Sequence, residues 1–263
     1  MKRALFFAYS VVVYVLFLGT FLYAIGFVGN FHFGPWNGLS FVPKSMDLGG
    51  EGAPLVDALV VDALVLAVFA IQHSGMARRG FKERWTKIVP APIERSTYVL
   101  FSSAALILLF VLWRPIGATV WAFYDRTVTI ALVVTSLIGW LTVLIATFHI
   151  NHFDLFGLRQ TFRALTGRAT TSHRFVTPGL YRVVRHPLYL GFLIAFWSTP
   201  VMTIGHLVFA IATTGYILVA IQLEERDLVR DYGRDYERYR REVPMLAPIP
   251  KRPALSQSAK MTS

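Results

Sequence analysis

Residues 4–28 read ALFFAYSVVVYVLFLGTFLYAIGFV, 25 positions without a charge. A helix needs about 20 apolar residues to cross the hydrocarbon core of a bilayer. This stretch alone therefore predicts a membrane protein. Lys2 and Arg3 precede it, as they would in a signal peptide. The apolar run is too long for one, and no small-residue cleavage site follows it, which predicts a retained first span. The composition agrees, with 55% hydrophobic and only 16% charged residues, against about 25% charged in an ordinary soluble domain. The 21 Phe, 11 Tyr and 6 Trp suit lipid-facing surfaces and interfacial belts.

Further spans are expected at 54–73, 96–113 and 128–148, followed by 188–204 and 206–223, which only Gly205 separates. The expected fold is all-α, a polytopic membrane helical bundle of five to six spans ending in a tight antiparallel hairpin. Asp57 and Asp62 sit in the first half of the second span, where a helix N-terminus tolerates carboxylates. With both termini cytoplasmic, the outer segments 29–53, 114–127 and the hairpin tip hold only Lys44, Arg114 and Arg126 of the 26 Lys and Arg, leaving 23 inside. That bias is the positive-inside pattern of a bacterial inner membrane protein. It assigns the net charge of +11 to inner loops and not to a nucleic-acid surface. The absence of cysteine excludes disulfides, thiolate metal sites and a cysteine nucleophile, and no metal site is expected. Residues 251–263 are expected to form a disordered tail.

The chemistry concentrates after Thr177, in the run Thr-Pro-Gly-Leu-Tyr-Arg-Val-Val-Arg-His-Pro-Leu-Tyr-Leu-Gly. Pro178-Gly179 signals a turn, and Pro187 fits the first turn of a helix with His186 at its cap. Free N–H groups at such an end suit an anion. Across the hairpin lies Glu224-Glu225-Arg226-Asp227-Leu228. Arms of about 17 and 18 residues each rise roughly 27 Å. Glu224 and Glu225 should therefore return to the depth of Arg185 and His186. Two arginines, a histidine and two carboxylates at one depth are what a cationic, zwitterionic nucleoside requires. Arg or a helix end takes its carboxylate, Glu takes its ribose, and Tyr181 and Tyr189 offer aromatic faces to a sulfonium.

The run from Gly179 to Gly191, with Glu224 to Leu228, Tyr232-Gly233, Tyr236, Tyr239 and Val243-Pro244, resembles the C-terminal module of isoprenylcysteine carboxyl methyltransferases. The resemblance implies that Tyr181, Arg182, Arg185, His186, Pro187, Tyr189, Gly191, Glu224 and Glu225 line a site for S-adenosylmethionine, closed by a cytoplasmic tail. Gln72-His73-Ser74-Gly75-Met76-Ala77-Arg78 and Glu94-Arg95-Ser96-Thr97-Tyr98 resemble the nurim/NnrU-like group, and within it the members that methylate methanethiol. That resemblance implies methyl transfer to the sulfur of a small thiol, giving dimethyl sulfide. The chain then divides into a four-span bundle with the acceptor pocket (1–150), a cofactor-binding module (151–250) and the tail (251–263). No Gly-x-Gly-x-x-Gly follows a strand, which argues against a soluble nucleotide-binding fold.

A thiol reacts as its thiolate, so the site needs a base or a nearby cation. His73, at the inner end of the second span, is the expected base, with His149 and His152 as rivals and His206 too far out. Arg78, Arg79 or Arg95 would favour the thiolate electrostatically, and Glu94-Arg95 is a candidate ion pair orienting His73. Phe148, Phe153, Phe156, Trp140 and Trp197 are bulky enough to shrink the acceptor pocket. Prenylcysteine carboxyl or lipid methylation is the alternative within methyl transfer. A haem-binding isomerase with His73, His149 and His152 as axial ligands is the alternative of another class.

Overall fold

The computed structural model describes residues 1–30, 44–48, 53–168 and 175–248. The expected tail and most of the expected outer segment 29–53 lie outside these residues. The protein is an all-α polytopic membrane bundle. Five helices are long and apolar enough to span: α1 (Lys2–Gly29), α2 (Leu55–Ala77), α4 (Ala91–Leu112), α5 (Arg126–Ile150) and α9 (Ile204–Tyr232). Short helices α3 (Arg79–Trp85), α6 (His152–Leu155) and α7 (Leu158–Thr166) join them, and α10 (Arg234–Glu242) follows α9. α8 (Pro187–Trp197) is an apolar helix of 11 residues.

The helices stop where their caps dictate. α1 ends at Asn30, left-handed at φ 52°, whose N–H returns to the Gly26 carbonyl. The Asp125 side chain accepts the Val128 N–H at 3.0 Å and caps α5. α4 begins after Pro90, and a further proline, Pro92, lies in its first turn.

The terminal hairpin departs from the expected equal arms. α8 rises only about 16 Å. Its chain continues in extended form into β2 (Val201–Thr203), which pairs antiparallel with β1 (Thr119–Ala122). Extended chain covers about 3.3 Å per residue, so the strand supplies the length the helix lacks. Backbone groups at a membrane edge must find partners within the protein, and the two short strands satisfy one another. Gly205 is not the tip. Its N–H donates to the Ile116 carbonyl at 3.1 Å, just after the strand.

The same end is stapled through residues 44–48. Trp113 Nε1 donates to the Met46 carbonyl at 3.0 Å, and the Met46 N–H to the Phe27 carbonyl at 2.9 Å. Asp47 takes the Thr203 hydroxyl and the Asn30 amide. Asp62, fully buried in α2, accepts the Arg114 N–H at 2.8 Å, so its tolerance rests on a specific partner. Around this staple Phe27, Leu109, Phe110, Trp113, Trp140, Phe196 and Phe209 form the larger core cluster. A smaller one, Val13, Met76, Tyr98 and Val99, lies toward the other end.

α5 and α8 approach closely at Gly139 and Gly191. A Cβ on Gly139 would overlap the Ala195 amide and the Gly191 carbonyl, and one on Gly191 would meet Gly139 and Val143. Small residues permit such contact in membranes, where van der Waals packing drives helix association. The Ser136 hydroxyl adds a hydrogen bond to the Ala195 carbonyl at 3.0 Å. Gly139→Leu should force these backbones apart at a cost of about 1–3 kcal/mol, read as a lower thermal midpoint in detergent, whereas Gly215→Ala, with nothing within 4 Å of its Cβ position, should leave the midpoint unchanged.

Candidate active site

The hairpin does return Glu225 to His186. Glu225 Oε1 lies 2.7 Å from both Nε and Nη2 of Arg185 and 3.0 Å from His186 Nε2. Arg185 and Glu225 side chains are each 7% exposed, so this pair is buried. Arg185 Nη1 also donates to the carbonyls of Arg240 and Val243, at 3.0 and 2.6 Å. The backbone N–H groups of Arg185 and His186 donate to Pro244 and Met245. The approach to α8 is thereby tied to the segment after α10. A buried ion pair survives when its remaining hydrogen-bonding capacity is met, and here the protein meets it.

Glu224 is the accessible carboxylate, at 44% exposed and 3.9 Å from His186 Nδ1. The Tyr189 hydroxyl faces it and lies in electrostatic reach of Tyr216 and Tyr98. The Tyr239 hydroxyl donates to the Tyr181 carbonyl at 2.5 Å, and Phe175 packs against Tyr232, Tyr236 and Tyr239. Burial pushes the Tyr239 phenol up to about 12 and raises Tyr181 and Tyr236 in the same direction. Arg182 holds the Thr177 carbonyl at 3.3 Å, and Pro187 is the first helical residue of α8.

The second half of the site comes from α2 and α4. His73 Nδ1 lies 3.1 Å from Ser102 Oγ, and the Tyr98 hydroxyl lies 3.0 Å from His73 Nε2. The Arg95 guanidinium sits 4.7 Å from the centre of the Tyr98 ring, a cation–π contact. Ser74 Oγ lies 3.0 Å from the Tyr216 hydroxyl, and Arg78 pairs with Asp227 at 3.0 Å. These two contacts dock the end of α2 against α9. Lys82 joins the same cationic edge, its pKa lowered first by burial and then by Arg95 and Arg78. The α2–α4 residues therefore meet the C-terminal module through Tyr98, Tyr189, Tyr216 and Glu224.

Several expected residues stand elsewhere. His149 accepts the Leu180 N–H at 3.4 Å, and Gly179, at φ 52°, packs directly on its ring. It thus supports the turn Gly179–Arg182. His152 is buried with both nitrogens engaged, by the Tyr14 hydroxyl at 2.7 Å and the Thr147 hydroxyl at 2.8 Å. His73, His149 and His152 have three separate sets of partners, which leaves a shared haem without support. Gly191 faces α5. Among the described residues no ion pair joins Glu94 to Arg95; Arg95 Nε instead donates to the Leu155 carbonyl at 2.7 Å. Phe148, Phe153 and Trp197 are exposed on the bundle surface, while Trp140 packs in the opposite core and Phe156 stacks on Phe17. Of these only Phe156 approaches the site, packed against the cluster that holds Tyr98. An open apolar groove between α1 and α4, lined by Gly19, Tyr23, Lys44 and Val111 among others, contains none of the site residues.

Sequence reasoning missed Tyr216 and Ser102. Ser102 lies one turn after Tyr98 and so on the same face of α4, a spacing that becomes informative only once Tyr98 is known to face His73. Tyr216 sits in an apolar stretch with no local mark.

The fold and site define a polytopic helical membrane protein with ionisable and phenolic groups gathered at the end where α2 and α9 finish. The family described as proteins of unknown function, DUF1295, matches residues 58–243. A methanethiol S-methyltransferase of Crocosphaera subtropica is 51% identical over 95% of this chain and 94% of its own. One from Mycobacterium tuberculosis is 51% identical over 96% of this chain and 99% of its own. Nurim of Xenopus laevis is 26% identical over 64% of this chain and 61% of its own. No solved structure matches. The chain belongs to the DUF1295 family and to that of the methanethiol S-methyltransferases.

Arg185→Met should leave Glu225 buried without its cation, at a cost of about 3–5 kcal/mol. The expected readout is a lower thermal midpoint and protease cleavage after α10. The raised Tyr239 phenol predicts alkaline sensitivity as well. Its stabilising contribution is complete below pH 10.0, the ordinary phenol value, and is lost as pH rises through about 12. Phenolate absorbance and tryptophan fluorescence should change together in that window.

Proposed function

We propose that the protein transfers a methyl group from S-adenosylmethionine to the sulfur of methanethiol, giving dimethyl sulfide and S-adenosylhomocysteine. One observation carries the reading beyond the names of its relatives. The α2–α4 cluster around His73 and the module around Glu224 face one another across Tyr98, Tyr189 and Tyr216. A methyl transfer needs an acceptor site and a donor site in that relation.

The residues present fit S-adenosylmethionine. Glu224, exposed and not consumed by the Arg185 node, offers a carboxylate for a ribose or an ammonium. Tyr181, Tyr189 and Tyr216 offer aromatic faces to a sulfonium. The cationic edge of Arg78, Lys82 and Arg95, and the start of α8 after His186, suit a carboxylate. When bound, the sulfonium supplies an activated methyl group. Arg185, His186 and Glu225 shape the site by fixing α8, α9 and the chain after α10, and Arg182, Pro187 and Gly191 contribute by setting the path of α8.

The bundle of residues 1–150 then holds the acceptor, 151–250 binds the donor, and His73 takes the thiol proton beside Arg95. The concentration of Lys and Arg at the site end supports placing it, and both termini, on the cytoplasmic side of a bacterial inner membrane. The bilayer delivers a small apolar thiol without a water-filled path.

The purified protein should release volatile dimethyl sulfide from methanethiol and S-adenosylmethionine. No product under conditions where calorimetry detects donor binding would overturn the assignment of the acceptor. Glu224→Ala should weaken donor affinity about 10–100-fold, with the thermal midpoint retained because Glu224 lies outside the buried node.

A further inference from the structure

His73 is enclosed on three sides. Phe69 stacks against it, with centroids 5.2 Å and planes 20° apart. The Tyr98 ring lies 5.2 Å away. The Tyr98 oxygen is 3.0 Å from Nε2 and 3.1 Å from Nδ1. An oxygen almost equidistant from both nitrogens must lie over the face of the ring, because in the ring plane it would overlap the carbon between them. Tyr98 therefore leaves the in-plane directions of both nitrogens open. Ser102 Oγ lies 3.1 Å from Nδ1.

The proton of Ser102 sets the tautomer that its contact with His73 favours. A serine hydroxyl has one proton and two acceptor lone pairs. Its proton goes to the Tyr98 carbonyl, 3.0 Å away and one turn back along α4. One lone pair receives the Gln72 amide at 3.4 Å. With that proton on the carbonyl, the contact to His73 is a donation from Nδ1–H. The hydrogen bond at one ring nitrogen determines the role of the other, so Nε2 is the unprotonated atom with its in-plane lone pair available.

We infer that Ser102 is a positioning residue that holds His73 in the Nδ1–H tautomer, making Nε2 the atom that accepts the proton of the acceptor thiol. The inference rests on the methyl-transfer reading above. In the step, the sulfur–hydrogen bond of the thiol breaks and its proton bonds to Nε2. The sulfur electron pair forms the new bond to the methyl carbon. The old sulfonium–methyl bond breaks with its electrons left on the departing sulfur, now a neutral thioether. The imidazolium later returns its proton to solvent. The titratable and charged groups around the imidazole are Arg95 and Tyr98 from α4, Tyr216 from α9, Tyr189 and, through it, Glu224 from the module, and Arg78 after α2.

The test compares methanethiol with hydrogen sulfide, which is no larger and is ionised at a lower pH. At pH 9 hydrogen sulfide enters mostly as an anion and needs no base. Ser102→Ala should lower kcat for methanethiol on the order of 100-fold, and for hydrogen sulfide at pH 9 by no more than about threefold. Its affinity for S-adenosylmethionine should match the wild type. Ser102→Thr, which keeps the hydroxyl, should recover most of the methanethiol rate. Should Ser102→Ala lose donor binding through misfolding, Ser102→Cys, similar in size and a weak acceptor, takes its place in the same comparison. Equal losses for both thiols, or a wild-type methanethiol rate without the hydroxyl, would overturn the role given to Ser102. A wild-type protein that binds the donor but methylates neither thiol would instead overturn the methyl-transfer reading, so the two failures are distinguishable.

Discussion

One carboxylate oxygen, Glu225 Oε1, receives Arg185 and His186 at the open end of the terminal hairpin. Through Arg185 the same node reaches the carbonyls of Arg240 and Val243. Two helices and the chain beyond α10 therefore converge on a charge in a nearly dry setting. An isolated ion there would cost several kcal/mol, so the arrangement tolerates little rearrangement. The neighbouring Glu224 keeps its exposure because Glu225 makes the structural contacts. Adjacent and chemically identical residues thus take different roles, one anchoring the fold and the other facing the site.

The second constraint acts at the opposite end of the bundle. α8 is too short to match α9, and the chain gains the missing length in extended form. Extended backbone near a bilayer needs partners, and β1, between α4 and α5, supplies them. Asp47, Trp113 and Thr203 then tie the loops together. With both ends held, the close approach of Gly139 and Gly191 sets the spacing of α5 and α8. That spacing positions Tyr189 relative to the α2–α4 pair. Packing far from the chemistry in this way determines the geometry where the two halves of the site meet.

The meeting of Arg185, His186 and Glu225 was legible because such residues are polar where polarity is costly. Arg185, His186 and Glu225 stand at the ends of apolar runs, and the hairpin returned them to one depth although its arms are unequal. His73 was legible for the same reason, as an ionisable group inside a span. Polarity alone does not separate a site residue from one that serves the fold. His149, His152 and Arg95 are also polar groups near the membrane edge, but a polar group can equally satisfy a carbonyl, an amide or a hydroxyl of the fold. His149 supports a turn, His152 bonds Tyr14 and Thr147, and Arg95 holds Leu155. Composition registers the cost of burial without naming the partner that offsets it.

The sequence by itself determined that this chain is a helical membrane protein, where most of its spans run, which end carries the positive charge, and which two motifs return to one depth. These follow from local properties, namely run length, hydropathy and the sign of loop charges. Only the tertiary structure decided that Glu225 anchors while Glu224 faces outward, that a strand completes the hairpin, and that Ser102 addresses His73 Nδ1. Those outcomes depend on distances of about 3 Å between atoms far apart in the chain. Such distances are set by how helices pack, and no local pattern encodes them.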